Sequence, residues 1–98
     1  MTDNPADMLN ELPWWKTLTG HRVCVRTSGS ETQEQLTIIE YEEGPHTAPP
    51  IFTRHAFVEV FCILSGTFTF KFMDEPTFLA PPGAVITAPS WKPHSFWN

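Results

Sequence analysis

Hydrophobic and polar residues alternate with a period of two over most of the chain after Gly20. Gly, Pro and Ser residues divide this part of the chain into short segments, each of which predicts a β-strand. The predicted strands cover residues 22–26, 35–41, 58–64, 67–73, 77–79, 84–88 and 94–97. Many short strands with turns about every 8–12 residues indicate an all-β sandwich or barrel.

The alternation also predicts which side chains share a face. In the strand at 22–26, Val23 and Val25 lie on one face. The strand at 58–64 is apolar on both faces: Glu59, Phe61 and Ile63 share one, and Val60, Cys62 and Leu64 share the other. A barrel wall needs only one covered face, so the second face implies a packed helix, a second sheet or another subunit.

The N-terminal part has a different pattern. Residues 4–13 predict a short helix, because Asn4 can cap it, Pro5 suits its first position and Pro13 ends it. We therefore expect residues 1–20 to form an N-terminal helix and arm, with Trp14 and Trp15 packed against the body of the domain. Residues 21–98 then form the barrel.

Composition and charge narrow the class of protein. The chain has 98 residues, is 41% hydrophobic and carries a net charge of −5, with no basic stripe that would attract nucleic acid. No segment has the length of a membrane span and no secretion signal precedes the domain, so we expect a cytoplasmic protein. Cys24 and Cys62 are then expected to be free thiols.

Two groups of residues with suggestive spacing lie on the predicted strands. The first is His55, Glu59 and Gly66, and the second is Gly83, Pro89, His94 and Asn98. Two imidazoles and a carboxylate on short β-segments are the ligands of a mononuclear metal site. Gly66 and Gly83 are expected in turns that need a positive φ or a close approach.

On these residues the chain resembles the cupins, small β-barrel proteins of jelly-roll topology. His55, Glu59 and Gly66 match the second histidine, the Glu and the Gly of the first cupin motif, and Gly83, Pro89, His94 and Asn98 match the second motif. From about Val25 to Asn98 the chain is similar to small single-domain cupins related to quercetin dioxygenases. The resemblance implies a jelly-roll barrel, with the N-terminal helix outside it.

The chain departs from the cupin pattern in three places. Thr53 occupies the position of the first histidine of the first motif, and Trp91 occupies the position of a Gly in the second. Cupins also continue past the second motif with at least one more strand, whereas this chain stops at Asn98. The sequence is then a fragment, or lists only ordered residues, or a neighbour supplies the strand. An open barrel edge favours association.

The resemblance implies a metal site made of His55, Glu59 and His94. Two imidazoles and one carboxylate with open coordination positions suit Fe(II), and also Mn, Ni, Co or Zn. His46 could supply a third imidazole, although its spacing does not match the family. In a cupin that has lost its metal, Glu59 would instead pair with His55 or Arg54, or act as an acid/base with a raised pKa.

Aromatic residues near these positions predict a pocket for a flat apolar or phenolic molecule. The predicted pocket residues are Thr53, Phe57, Phe61, Phe70, Trp91 and Phe96. For Phe70 and its strand neighbours Phe68 and Phe72, core packing is the better interpretation. Trp91 is expected to narrow or line the mouth of the pocket. Arg54 either steers an anionic substrate group or faces solvent.

These observations predict a metal-dependent enzyme that acts on a small aromatic, phenolic or polyketide-like molecule, with Glu59 and His94 as catalytic residues. The resemblance implies dioxygenase chemistry. Non-oxidative chemistry stays open, namely an isomerase, cyclase, decarboxylase or lyase that uses Glu59 or His94 as acid/base. Two further functions also stay open: a cupin that binds a small molecule without turnover, and a structural domain that dimerises. We expect a homodimer that binds neither nucleic acid nor membrane.

Overall fold

The computed structural model describes residues 12–17, 21–45 and 51–98. The helix predicted at 4–13 falls almost entirely outside the described residues, and so does His46. The described strands are β1 (Trp15–Lys16), β2 (Arg22–Thr27), β3 (Ile38–Glu42), β4 (Glu59–Cys62), β5 (Phe68–Phe72), β6 (Phe78–Ala80), β7 (Val85–Ala88) and β8 (His94–Trp97), and a short 3-10 helix (Gly29–Glu31) follows β2. The all-β fold class is therefore confirmed. Within the described part of the chain, no helix is long and apolar enough to cross a membrane.

The chain divides into two compact units, Met1–Gly44 and Pro45–Asn98, here called the N-terminal unit and the C-terminal unit. The described part of the N-terminal unit is one antiparallel sheet in the order β1-β2-β3. Sequence reasoning missed β1, which is only two residues long and pairs Trp15 with Val23. Such a short strand leaves no alternation to recognise.

The buried face of β2 is not the face that carries the two valines. Cys24 is completely buried, whereas Val25 is 40% exposed. The guanidinium groups of Arg22 and Arg26, which flank Cys24 on its face, lie 4.8 Å and 5.6 Å from the ring centre of Trp14. The Trp14 ring and the arginine side chains cover this face, because cation–π contacts and aliphatic stems allow charged residues to bury a small neighbour.

The C-terminal unit contains two antiparallel sheets. One pairs β4 with β7, and the other has the order β6-β5-β8. Aromatic rings join them: Phe61 of β4 lies 5.3 Å from Phe70 of β5 and 5.1 Å from Phe96 of β8. The buried core between the sheets consists of Ile63, Phe70, Ala80 and Ile86. Because side chains alternate along a strand, burial of Phe61 also directs Glu59 toward the facing sheet.

The other face of the β4–β7 sheet is apolar and open. Val60 is 60% exposed, Leu64 is 72% exposed and Val85 is 65% exposed. Val60 and Cys62 pair with Thr87 and Val85 across this face.

Three positions of the two cupin motifs have a left-handed backbone. Gly66 and Gly83 have φ angles of 74° and 88°, which confirms the positive φ expected at both. Trp91, at the position where the second cupin motif has a Gly, has a φ of 62°. A bulky residue in this conformation is an outlier, since its Cβ crowds the backbone.

Candidate metal centre

Three side chains from the two sheets converge at one end of the C-terminal unit. Glu59 begins β4, His94 begins β8, and His55 lies in the segment that leads into β4. Their ligand atoms all lie within 4.8 Å of one another. We call these residues the His–Glu–His group. Among the described residues, this is the group of at least three His, Cys, Asp or Glu side chains whose ligand atoms lie close enough together to hold a metal ion.

His94 is held from both sides. It pairs with Phe72 of β5 on one side, and on the other it exchanges two backbone hydrogen bonds with Thr53, both 2.9 Å long. The residue is therefore only 3% exposed. Its Nδ1 lies 2.9 Å from the carbonyl oxygen of Lys92. A carbonyl oxygen can only accept, so Nδ1 carries the proton and Nε2 of the neutral ring presents a lone pair.

Glu59 places one carboxylate oxygen between the two imidazoles. Its Oε1 lies 3.1 Å from Nε2 of His55 and 3.2 Å from Nε2 of His94. The oxygen is nevertheless buried without a hydrogen bond, because neither ring nitrogen has the alignment that a hydrogen bond needs. Three electron-pair donors thus face a common point, and a buried arrangement of this kind is costly unless a cation or a shared proton lies between them.

The two separations that involve Glu59 fit a metal ion, and all three ligand atoms lie within 4.8 Å of one another. Donor atoms bound to one transition metal at about 2.1 Å lie about 3.0–3.4 Å apart, depending on whether the angle between them is octahedral or tetrahedral. The two distances from Glu59 Oε1 fall in this interval. Nitrogen and oxygen donors without a thiolate match the ligand preferences of Fe(II), Mn, Co, Ni and Zn. The group can therefore hold a divalent metal, and its composition does not select one of these.

Aromatic rings surround the two imidazoles. Phe57 stacks on His55, with ring centres 5.0 Å apart and planes inclined by 6°. Phe61 meets His94 edge-on at 5.9 Å, and Phe72 lies 6.2 Å from the same ring. Apolar rings on these sides restrict how the imidazoles can rotate and limit the access of water.

Thr53 lies beside the group, at the position where the cupin pattern has a histidine. Because Thr53 and His94 are a directly hydrogen-bonded pair, their side chains share a face. The hydroxyl of Thr53 is a weak ligand for a transition metal compared with an imidazole. The structure thus places the substituted position beside His94, on an exposed residue.

Two more predicted pocket residues lie near the group, and two lie in the core. Phe57 is 63% exposed and Trp91 is 58% exposed. Phe70 is 1% exposed, and Phe96 packs on it and on Phe61. Phe70 is thus a core residue. The sequence pattern predicted Phe72 only as a core residue, whereas its ring also lies beside His94. The contact of His94 with the carbonyl oxygen of Lys92 was not predicted, because any residue type has a backbone carbonyl.

The fold and the group define the class of protein: a small antiparallel β protein with a His/Glu/His cluster that can hold a metal between its two sheets. The family model for the cupin domain matches residues 37–98, which is more than half of the chain. The chain therefore belongs to the cupin family. Neither the curated proteins nor the solved structures provide a significant match.

Proposed function

We propose that this cupin is a metal-dependent enzyme that acts on a small aromatic, phenolic or polyketide-like molecule, with dioxygenase-like chemistry as the first candidate. The observation that carries the proposal is the convergence of two imidazole nitrogens on a buried carboxylate oxygen that has no hydrogen bond. Family membership and this group together support a function in binding a small molecule.

His55, Glu59 and His94 would hold the metal, which when bound supplies open coordination positions that can polarise a substrate oxygen or bind dioxygen. The protein's own residues prepare this site. The carbonyl of Lys92 fixes the tautomer of His94, and Phe57 fixes the plane of the His55 ring. Phe61 and Phe72 close the side of His94 that faces the core, so substrate would approach from the side of Thr53 and Phe57, which are exposed.

The position of Glu59 favours a second candidate, which is non-oxidative. Its Oε1 lies within 3.2 Å of two imidazole nitrogens, and these contacts, which are not aligned as hydrogen bonds here, would have to align when substrate binds for a proton to pass. Glu59 and His94 would then act as acid/base in an isomerase, cyclase, decarboxylase or lyase. Thr53 in place of a histidine supports this candidate, since redox chemistry depends on the ligand set.

Metal analysis of the purified full chain tests the proposal. We expect about one equivalent of a divalent transition metal in the wild type and little in Glu59→Ala or His94→Ala, with the circular dichroism spectrum retained. Wild-type protein that takes up no Fe, Mn, Co, Ni or Zn when these ions are offered would contradict it.

Oxygen uptake separates the two candidates. Iron-loaded protein that consumes oxygen with phenolic substrates supports the dioxygenase-like reaction. Loaded protein that converts such substrates without oxygen uptake supports the acid/base reaction, and loaded protein that only binds them supports a binding module.

The open face of the β4–β7 sheet supports a further part of the proposal, a homodimer. Val60, Leu64 and Val85 expose most of their surface there, and contiguous apolar surface of this kind favours association. Light scattering at micromolar concentration should give the mass of a dimer for the wild type and of a monomer for Val60→Asp. A monomeric wild type would contradict the homodimer without affecting the metal site.

A further inference from the structure

Arg54 differs from the other described cations of the C-terminal unit. Lys92 forms an ion pair with the Glu75 carboxylate at 3.1 Å, and Lys71 donates to the Glu75 carbonyl oxygen. The guanidinium of Arg54 lies over the ring of Trp91, 5.5 Å from its centre, and among the described residues it has no carboxylate partner. A guanidinium that rests on an aromatic face keeps its N–H groups in the ring plane free for an anion.

Both residues are attached to the His–Glu–His group through His55. Arg54 precedes His55 in the chain, and the backbone N–H of Trp91 donates to the carbonyl oxygen of His55 at 2.6 Å. The hydroxyl of Ser90 donates to the carbonyl oxygen of Ala56. The turn that carries Trp91 and the segment that carries His55 are thus held together, so Arg54 and Trp91 both adjoin His55 of the candidate metal centre.

The conformation of Trp91 shows that its ring has a role other than packing. A left-handed φ of 62° is unfavourable for a residue with a Cβ compared with glycine. The side chain is 58% exposed, so burial recovers little of this free energy. Among the described residues, the Trp91 ring contacts the guanidinium of Arg54. Strained residues of this kind concentrate at binding and catalytic sites.

We propose that Arg54, supported by Trp91, binds the carboxylate of the substrate while the rest of the molecule approaches the His–Glu–His group. The inference rests on the proposed function, because it assigns one end of the substrate to that site. The substrate class is then a small aromatic molecule with a carboxylate, whose ring can pack near the exposed Phe57. The net charge of −5 disfavours the approach of an anion, and a local cation at this position offsets that repulsion.

Benzoate and benzamide are a matched pair of probes, because they differ in charge but hardly in shape. Isothermal titration of the metal-loaded full chain should show benzoate binding about tenfold tighter than benzamide, the expected effect of one charge-assisted pair. In Arg54→Met this preference should fall to about twofold or less. Lys71→Met removes the same charge from the same unit but away from His55 and Trp91, and it should keep the wild-type preference.

Trp91→Gly separates recognition from packing. Glycine adopts the left-handed φ freely, so we expect thermal stability to be unchanged or raised while the preference for benzoate decreases about threefold, because Arg54 loses its support. A clear loss of stability would instead identify Trp91 as a packing residue and contradict its assigned role.

The metal content of the same samples distinguishes this inference from the proposed function. Wild-type protein without metal contradicts the proposed function. Metal-loaded wild type whose preference for benzoate persists in Arg54→Met contradicts the inference alone, because the metal itself then selects the carboxylate. Equal affinity of the wild type for the two probes, or no measurable binding of either, also overturns the inference.

Discussion

Each unit of the chain places a histidine beside a glutamate of low exposure, but the two arrangements differ. In the N-terminal unit, His21 Nε2 lies 3.9 Å from Glu43 Oε1, and the His21 ring packs at 5.4 Å on Tyr41. In the C-terminal unit, two imidazoles approach Glu59 Oε1 to 3.1 Å and 3.2 Å. In the second arrangement two nitrogen donors lie within 3.2 Å of one carboxylate oxygen, whereas the His21 nitrogen stays 3.9 Å from its carboxylate.

The difference shows what defines a candidate metal centre. Low exposure does not define it, since the side chain of Glu43 is 3% exposed and that of Glu59 is 28% exposed. A candidate metal centre is instead defined by the number of donor atoms that face one point, because a divalent metal needs at least three protein ligands to be held firmly. The His21–Glu43 pair acts in a different way: burial raises the pKa of Tyr41 to about 12, and the Glu43 carboxylate adds to that increase.

Removing one histidine from each unit gives the largest expected contrast. His55→Ala deletes a ligand and should weaken metal binding by at least about 100-fold, whereas His21→Ala should change it by about twofold or less. Competition with a chromophoric chelator measures both affinities. Equal losses in the two variants would show that the described group is not where the metal binds.

Adding a ligand sharpens the same comparison. Thr53→His places an imidazole on the face that carries the His94 side chain, so metal affinity should rise by about tenfold. Thr53→Ser keeps the hydroxyl and should leave the affinity unchanged. An affinity for Thr53→His at or below that of the wild type would mean that the new imidazole cannot reach the metal.

The ring that supports His55 has a smaller expected effect. Phe57→Leu removes the stacking partner but no ligand, and metal affinity should fall by less than about tenfold. Phe78→Leu is the matched control, since Phe78 stacks on Phe70 and Phe72. The same chelator competition separates the variants, and a larger loss in the control would contradict a role for Phe57 in orienting His55.

The smallest expected effect is the pH dependence of stability that Tyr41 of the N-terminal unit causes. Burial and the nearby Glu43 raise the pKa of Tyr41 to about 12, whereas an unfolded tyrosine ionises near 10. Between these values the unfolded state loses its proton first, so the free energy of unfolding should fall as pH rises from about 10 to about 12, and less steeply in Tyr41→Phe. The chain has one tyrosine, so its near-ultraviolet absorbance reports the titration directly.

Glu43→Gln checks the cause of that shift. The pKa of Tyr41 should move down but stay above 10, because burial is the larger cause and remains. His55→Ala, in the other unit, should leave the titration unchanged. A pKa near 10 in the wild type would show that the phenol is well solvated.

Much of the fold follows from short-range pattern. Seven of the eight described strands coincide with segments of period-two alternation, and their ends differ from the predicted ends by up to three residues, as at residue 35 against Ile38 for β3. The strand that was not predicted, β1, has only two residues and is too short to show a periodicity. The buried face of β2 was also not predictable, because it depends on Trp14 covering a face that carries two arginines.

The candidate site follows from spacing in the same partial way. Motif spacing selected His55, Glu59 and His94, and also the two turn glycines and the unusual Trp91. It did not reveal the carbonyl of Lys92 on His94, or the contact between Arg54 and Trp91. The first contact involves a backbone atom, which no residue type signals, and the second joins side chains 37 residues apart (91 − 54), which no local pattern encodes.

The sequence by itself determined the all-β class and the identity of the three candidate ligands, because strand periodicity and motif spacing are local properties of the chain. Only the tertiary structure decided that the ligands face one point. Glu59 and His94 lie on different sheets, and the packing of Phe61 on Phe70 and Phe96 sets the distance between them. A separation of 3.2 Å is a consequence of how two sheets pack, and packing is a property of the whole unit.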